Sequence, residues 1–426
     1  MANKAFGLWS AVFLGIGSMV GVGIFIVVGE AGSIAGNLVW LSFLLGGLIA
    51  LLNGYSLAKL ALRYPSRGGL VEYLVQCYGE GIFSGATSVL FYFTQIVTLA
   101  AIAKAFGSYA STFIEDAGAF WTNFFAIFIL LTFMTINLLG AVFVAKSENF
   151  IVIVKLTILT LFTIVGFFFI KPEYLSPKEF PPVMDIFYAV GITFFAYQGF
   201  SLITNTVEDI ENPSKNIIKA MIIAILIVML LYVGISLVVM GNLSLPEIVK
   251  AKDYALAESV KPVFGDLGFK IMAATALFST VSAINATLYS VTEIGYTMAK
   301  RGELPKIYEY NVFNSYEGLI VSTVLTIPLI LFLDLSEITL IASIIVLLVQ
   351  GFVHIGHLLK IDETKAKKIL IIFSIFGTFL VAVFSLIYVY KKLPTVGIWI
   401  LASFLLAFLV EVLLRYFTGR VVSKQT

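Results

Sequence analysis

Charged side chains are scarce in this sequence of 426 residues. Asp, Glu, Lys and Arg make up 12% of it, whereas 60% of the residues are apolar and the mean hydropathy is +1.02. A water-soluble protein of this length could not keep so much apolar surface away from water. The composition therefore indicates an integral membrane protein and excludes a soluble globular domain.

Cysteine and histidine are rarer still. The single cysteine, Cys77, excludes an intramolecular disulfide framework. The two histidines, His354 and His357, supply too few ligands for a metal centre, and we interpret them as residues at a membrane–water boundary. A membrane-embedded enzyme needs converging nucleophiles, acids or metal ligands, which this sequence does not supply. We therefore predict no enzymatic activity, metal or cofactor, and the net charge of +2 gives no reason to expect nucleic-acid binding.

Long apolar segments recur along the whole chain. A membrane-spanning helix needs about 20 mostly apolar residues, and twelve segments approach that requirement. They predict an all-α polytopic membrane protein with a single transmembrane domain. The stretches 171–182 and 245–266 are too polar to span and are predicted to be connections. The predicted spans, numbered 1 to 12, are 8–32, 38–62, 82–112, 119–144, 149–171, 184–207, 216–241, 267–299, 318–333, 336–358, 367–390 and 394–416.

The distribution of lysine and arginine predicts the orientation of these spans. Of the 27 such residues, 17 lie in segments on the side of the N-terminus, 9 lie on the opposite side, and Lys155 lies within span 5. Because positively charged loops prefer the cytoplasmic side, both termini are predicted to be cytoplasmic. No targeting signal is visible, so the plasma membrane is the predicted location.

Two spans carry sequences that interrupt a helix. Span 1 has four glycines, Gly15, Gly17, Gly21 and Gly23, at i, i+2, i+6 and i+8. Glycine at this density weakens a helix, although a packing face of small residues would use the same positions. Span 6 has one glycine within residues 194–201. Interruptions at matching places in two halves of a chain point to the binding site of a transporter.

Breaks of this kind present two kinds of polar group to a solute. The N-terminus of one half-helix offers N–H groups to an anion, and the carbonyl groups of the other half attract a cation. A zwitterion with adjacent carboxylate and ammonium groups satisfies both. The pattern therefore favours a transporter of α-amino acids.

Five motifs, in order and over essentially the whole chain, resemble those of the amino acid–polyamine–organocation transporter family. The closest resemblance is to the archaeal proton-coupled amino acid transporters of broad specificity. The motifs are GVGIF at 21–25, PSRGG at 65–69, FFAYQGF at 194–200, NPSKNI at 212–217 and MAKRGELP at 298–305.

The resemblance implies a fold of two inverted repeats of five helices. The repeats would cover residues 8–171 and 184–358, with two additional helices in residues 367–416. It also implies a substrate site at the breaks of spans 1 and 6, with Phe195 as an aromatic gate. The substrate-binding residues so implied are Met19, Gly21, Val22, Gly23, Phe194, Phe195, Ala196, Gln198 and Gly199.

Lys155 stands alone in span 5, without an acidic residue at i±3 or i±4. An ionisable group within a span costs at least about 2.5–3.5 kcal/mol and is a functional candidate, although this side chain could instead extend to the inner surface. The resemblance implies a proton-coupling lysine at this position. Candidate acceptors for its ammonium group are the carbonyl oxygens of Gly17 and Val20 and the hydroxyl groups of Ser279, Thr280 and Ser282.

Two acidic residues also lie within spans, and we interpret both as structural. Glu411 stands four residues before Arg415 near the inner end of span 12, which predicts an ion pair along the helix. Glu293 lies near the inner end of span 8, within reach of water or of inner basic residues.

The hypothesis from the sequence is a proton-coupled symporter that imports small, mostly neutral amino acids by alternating access. The residues near the predicted pocket show no second charge, and Thr94, Gln95, Gln198 and Asn285 are candidates to contact polar substrate side chains. An amino acid exchanger or a sodium-coupled symporter on the same fold are the alternatives. A lysine at the membrane midplane argues against sodium, because one cation excludes another. A channel would show rings of polar residues along several spans, which we do not find.

Overall fold

The computed structural model describes residues 7–139 and 143–418, without the side chains of Val22, residues 143–150 and Thr418. It is almost entirely helical, with one two-stranded antiparallel ribbon of β1 (Asn311–Val312) and β2 (Ser315–Tyr316). The α-helices of the described residues are α1 (Leu8–Val22), α2 (Ile24–Ala35), α3 (Val39–Arg63), α4 (Leu70–Tyr78), α5 (Ile82–Ser111), α6 (Ala119–Leu138), α7 (Phe143–Phe167), α8 (Val183–Phe195), α9 (Leu202–Asn205), α10 (Pro213–Asn242), α11 (Leu245–Lys250), α12 (Ala255–Glu258), α13 (Lys261–Arg301), α14 (Glu317–Phe332), α15 (Leu335–Leu359), α16 (Ile361–Thr364), α17 (Lys368–Lys392) and α18 (Pro394–Thr418).

These helices confirm the all-α polytopic architecture. Among the described residues, eight helical segments are long and apolar enough to cross a bilayer, and the bent pair of α8 with the turn and helix after it makes a ninth. One of the eight runs through α2 and α3, which Gly36 separates with a φ of +50°. Three further apolar helices, α1, residues 151–167 of α7, and α14, are shorter. Twelve crossings therefore stay a prediction, and residues 140–142 of predicted span 4 lie outside the described range.

The two polar stretches form the connections that their composition predicts. The first contains the 3-10 turns Pro172–Leu175 and Pro177–Glu179. The second contains α11 and α12 and the first residues of α13. Helix α13 has a non-helical residue at Gly265, with a φ of +64°, so its regular part begins close to the predicted start of span 8.

Helix α5 lies at the centre of the bundle and packs against α6, α13, α14, α15 and α18. In lipid, helices associate through close packing of small residues rather than through the hydrophobic effect. Gly107 shows how close this packing is, because a Cβ added there would overlap the backbone carbonyl oxygen of Thr122 on α6.

His354 and His357 are fully buried on α15, and their position at a membrane–water boundary stays a prediction. Their Nδ1 atoms each lie 2.8 Å from the Ser56 hydroxyl on α3. A hydroxyl group both donates and accepts, so it can serve two neutral imidazoles at once. His357 Nε2 lies 2.8 Å from the Thr364 hydroxyl. These partners could not be predicted from the histidines' own helix, because Ser56 comes from a distant segment.

The substitution Gly107→Ala tests the contact between α5 and α6. Because the new methyl group meets a backbone oxygen that cannot rotate away, we expect a loss of about 1–3 kcal/mol in the free energy of unfolding. The loss would be measured as a lower melting temperature of the purified protein in detergent. Gly377→Ala on α17 is the control, because its Cβ would find its nearest neighbour, Ile49 Cγ1, at 3.4 Å. Equal destabilisation by both substitutions would contradict this account of the packing.

Candidate functional site

The helix of span 1 is interrupted at Gly23. This residue has φ −93° and ψ −90°, and it separates α1 from α2. The amides of Ile26 and Val27 then donate to the Gly23 carbonyl oxygen, at 3.0 and 3.1 Å, to begin α2. A Cβ on Gly23 would lie 2.6 Å from the Ala196 carbonyl oxygen of span 6, so the close approach of the two spans requires glycine. The break leaves the first N–H groups of α2 beside the last carbonyl groups of α1.

The helix of span 6 is interrupted immediately after Phe195. Helix α8 ends there, the 3-10 turn Gln198–Ser201 follows, and the axis bends by 42°. Gly199 in this turn packs directly on span 1, because a Cβ there would lie 2.5 Å from the Met19 amide nitrogen. The structure therefore contains both predicted breaks and places them in contact.

Tyr232 of α10 joins the two breaks. Its buried hydroxyl donates to the Met19 carbonyl oxygen at 2.8 Å and lies 3.3 Å from the Ala196 carbonyl oxygen. The single hydroxyl proton is therefore shared between a carbonyl group of span 1 and one of span 6. The sequence analysis missed this residue, although a tyrosine within a long apolar segment signals that its hydroxyl needs a polar partner.

A small cavity of about 50 Å³ lies beside the breaks. Among the described residues, no side chain that lines it carries a charge, and most of its polar groups are hydroxyls and amides. Its lining residues are Ser18, Gly68, Leu70, Phe91, Gln95, Thr98, Gln198, Gly199, Ser201, Leu202, Asn205, Thr287, Ser290, Ile294 and Val346.

The predicted substrate residues divide into two groups around this cavity. Gln198 and Gly199 line it, and so does Gln95, which was a candidate for contact with substrate side chains. Met19, Gly21, Gly23, Phe194, Phe195 and Ala196 are buried at the breaks instead. The Val22 side chain lies outside the described part of the structure.

Two other candidates for contact with the substrate are engaged elsewhere. The Thr94 hydroxyl donates to the Leu90 carbonyl oxygen of its own helix at 2.9 Å. The Asn285 Oδ1 atom accepts a hydrogen bond from Asn137 at 2.9 Å.

Several other residues that line the cavity were not predicted from the sequence. Phe91 and Thr98 lie at i and i+7 on α5, with the predicted Gln95 at i+4, and Thr287 and Ser290 are three residues apart on α13. Residues at these spacings share a helix face. The pattern was therefore visible in the sequence, but nothing in the sequence showed that these two faces meet the breaks.

Lys155 lies close to the break of span 1 and is only 2% exposed. Its Nζ atom donates to the Gly17 carbonyl oxygen at 2.8 Å and lies 3.5 Å from the position that a Cβ on Gly21 would take. Close by, the Ser279 hydroxyl of α13 donates to the Val20 carbonyl oxygen at 3.4 Å, and the Ser279 backbone oxygen lies 3.6 Å from the same Cβ position on Gly21. Side chains of α7 and α13 therefore both bind carbonyl groups of α1.

The other two predicted hydroxyl acceptors lie nearby on α13. The Thr280 hydroxyl donates to the Ala276 and Leu277 carbonyl oxygens of its own helix, at 2.8 and 3.0 Å. Ser282 is buried. Of the three predicted hydroxyls, the Ser279 hydroxyl is the one seen to contact a predicted carbonyl of span 1.

Comparisons with known proteins agree with this architecture. A family model described as amino acid permease matches residues 6–413. An uncharacterized protein of Methanocaldococcus jannaschii is 36% identical over 99% of this chain and 98% of its own length. The inner membrane transport protein YbaT of Escherichia coli is 32% identical over 97% of each chain. The serine/threonine exchanger SteT of Bacillus subtilis is 27% identical over 71% of this chain and 70% of its own length.

The substitution Tyr232→Phe tests whether the Tyr232 hydroxyl holds the breaks together. Loss of one buried hydrogen bond costs about 0.5–1.5 kcal/mol, so we expect local opening at residues 19–24 and 195–199 to rise roughly two- to tenfold. Hydrogen–deuterium exchange of the purified protein, read by mass spectrometry, measures this change.

Tyr78→Phe is the matched control, because the Tyr78 hydroxyl donates to the Phe352 carbonyl oxygen at 2.6 Å, far from either break along the chain. It should leave exchange at the two breaks unchanged. Unchanged exchange in Tyr232→Phe would show that the hydroxyl does not join them.

Proposed function

Because this chain belongs to the amino acid permease family, we propose that it is a proton-coupled symporter that imports small neutral amino acids by alternating access. Its family and its relatives make it a multi-pass membrane transporter of amino acids and not an enzyme. The proposal concerns the coupling ion, the preferred substrates, the direction of transport and the residues that carry them.

The two breaks support the binding of an α-amino acid. The N-terminal N–H groups of α2 suit a carboxylate, and the carbonyl groups around Met19 and Ala196 suit an ammonium group. Gly23 and Gly199 keep Cβ atoms out of the space where the two spans approach. Phe195, fully buried beside the break, would act as the gate over the bound substrate.

The lining of the cavity supports a preference for neutral side chains. The described residues that line it include no charged side chain to pair with a charged substrate, and an unpaired charge is costly to bury. The Gln198 amide nitrogen is buried and has no hydrogen-bond partner among the described residues, so it could donate to a polar substrate side chain. SteT, by its name a serine/threonine exchanger, offers a precedent for small hydroxylated substrates among the relatives.

The hydrogen bond from Lys155 to Gly17 carries the proposal of proton coupling. It joins α7 to α1 just before the break, at 2.8 Å and out of contact with solvent. A hydrogen bond from an ammonium group is about twice as strong as one from a neutral amine. Protonation of Lys155 would therefore hold span 1 in its substrate-binding arrangement, and deprotonation would loosen it. The ammonium group would also occupy the place that a sodium ion would need.

The position of the cavity suggests which step of the transport cycle the structure represents. Its lining includes Gly68, which follows span 2, and Asn205, which lies at the end of span 6, both on the side predicted to be cytoplasmic. On the opposite side, Lys252 pairs with Glu30 of α2 at 3.4 Å, so the connection between spans 7 and 8 covers span 1. We infer a conformation that releases substrate towards the cytoplasm.

Amino acid uptake into proteoliposomes tests the coupling mechanism. With an inward proton gradient and no sodium, we expect accumulation of alanine or serine. Lys155→Ala should lower it roughly 10- to 150-fold, because a hydrogen bond from a charged group contributes about 1.5–3 kcal/mol. Exchange of internal for external amino acid should survive the substitution, since it needs no net proton movement.

Lys104→Ala is the matched control, because Lys104 is another lysine on a span whose Nζ atom donates to a backbone carbonyl oxygen, that of Ile330 at 2.7 Å. It should retain proton-driven accumulation. Equal accumulation by Lys155→Ala, or a requirement for sodium, would exclude the proton mechanism. Exchange without net accumulation in the parent protein would favour the exchanger.

Competition for labelled alanine uptake tests the substrate preference. We expect unlabelled serine, threonine and leucine to compete, whereas aspartate, glutamate, lysine and arginine at the same concentration should not. Charged amino acids should not compete, because the described residues that line the cavity include no charged side chain to pair with them. Strong competition by a charged amino acid would contradict the preference for neutral substrates and would leave the coupling mechanism untouched.

A further inference from the structure

Five charged side chains form a buried group apart from the transport site, which we call the inner charge cluster. It consists of Glu72 on α4, Arg301 at the end of α13, Glu303 just after it, and Glu411 and Arg415 on α18. All but Arg415 are buried, and Arg415 is partly buried. Two ion pairs lie within the cluster, Arg301 with Glu72 and Arg415 with Glu411.

Glu303 is the one carboxyl group of the cluster without an ion pair among the described residues. It is fully buried, and neither of its carboxyl oxygens has a hydrogen-bond partner of ordinary geometry among those residues. The Ser88 hydroxyl of α5 faces it, and its weak interaction with the carboxylate opposes the rise of the pKa. The charged groups that face Glu303 are Arg301, Glu411 and Glu72, and Arg415 lies beyond Glu411.

The charges of the cluster balance only when one carboxyl group is neutral. Two guanidinium groups oppose three carboxyl groups, and the guanidinium groups are already paired with Glu72 and Glu411. A third buried negative charge without a hydrogen bond costs several kcal/mol. Protonation of Glu303 removes this cost and leaves the two ion pairs intact.

The surrounding helices are shaped to contain the cluster. A Cβ added to Gly85 of α5 would overlap the Glu411 carboxyl group, so the glycine provides the space that this side chain fills. The cluster also joins segments from separate parts of the chain: α4 after span 2, the start of span 3, the end of span 8 and the end of span 12. The cluster is thus enclosed by several helices, in contrast to an acidic patch on the surface.

We propose that Glu303 binds a proton at the cytoplasmic face, separately from Lys155, and that it keeps this proton while the inner ends of these helices are packed together. When the helix ends separate, water reaches the carboxyl group, the proton dissociates and the charged form becomes stable. The site would thus make the inner face responsive to cytoplasmic pH. Its assignment to that face depends on the predicted orientation.

The pKa of Glu303 agrees with this proposal. Burial raises the pKa from its ordinary value of 4.5 to about 8, Arg301 opposes this shift, and the Glu411 and Glu72 carboxylates add to it. When packing raises the pKa of a carboxyl group, the protonated group stabilises the packed state. This stabilisation is complete at pH values below the ordinary pKa. That stabilisation is lost as the pH rises through about 8. Alkaline conditions should therefore loosen the packing of the inner helix ends.

Infrared spectroscopy of the purified full chain in detergent tests the proposal directly, because a protonated carboxyl group has its own absorption band. We expect the parent protein to lose one such band with a midpoint near pH 8, and Glu303→Gln to lack it. Glu211→Gln, at an exposed position, is the control and should retain it. The proposal is overturned when the band is absent from the parent or persists in Glu303→Gln.

Thermal stability gives a second readout. The melting temperature of the parent protein should fall as the pH rises through about 8, and that of Glu303→Gln should not follow this change. Glu303→Asp is a second variant, to be used if Glu303→Gln does not fold. It should keep a titrating band with a shifted midpoint, because the shorter side chain moves the carboxyl group relative to Arg301. An unshifted midpoint in Glu303→Asp would overturn the assignment of the band to Glu303.

The same spectra of Lys155→Ala separate this inference from the proposed transport mechanism. The band should persist there, because Lys155 is not among the charged groups that face Glu303. A persistent band without proton-driven uptake in the parent would refute the transport proposal alone. Proton-driven uptake without the band would refute this inference alone.

Discussion

A carbonyl group released from a helix inside a bilayer has no water to bind, so the protein must supply a donor. Three carbonyl groups in the last turns of α1 each receive a side-chain donor from a different helix. Gly17 is bound by Lys155, Met19 by Tyr232 and Val20 by Ser279. The end of the interrupted helix is therefore stabilised by α7, α10 and α13. The position of the cavity and of the proposed amino acid site depends on this set of bonds.

Much of this arrangement could be predicted from residues in isolation. Repeated glycines in span 1 and a single lysine in an apolar segment each violate the usual composition of a membrane helix, and both mark features that the structure contains. The other donors to α1 were harder to predict from the sequence. Ser279 was one of three equivalent hydroxyl candidates, and Tyr232 was not recognised, because nothing local to α10 shows that it faces the breaks. The burial of the two histidines could not be predicted for the same reason, since their partner Ser56 lies on another helix.

Helix α13 connects the two regions in which protons are proposed to bind. It carries Ser279 beside the break of span 1 and ends at Arg301 in the inner charge cluster. The 22 residues between them correspond to about 33 Å of helix at 1.5 Å per residue. A rigid element of this length transmits a tilt at one end to the other. The proposed transport site and the inner face therefore share one continuous helix.

The space above Gly85 that Glu411 fills has a consequence for attempts to shorten the chain. The two repeats implied by the family resemblance end before span 12, so that span would be the natural one to remove when designing a smaller transporter. Its removal would also take away a carboxyl group and a guanidinium group from the interior and would leave an empty notch in α5. A version without span 12 would therefore have to refill that notch with a larger side chain at position 85, and its inner face would carry a different balance of charge.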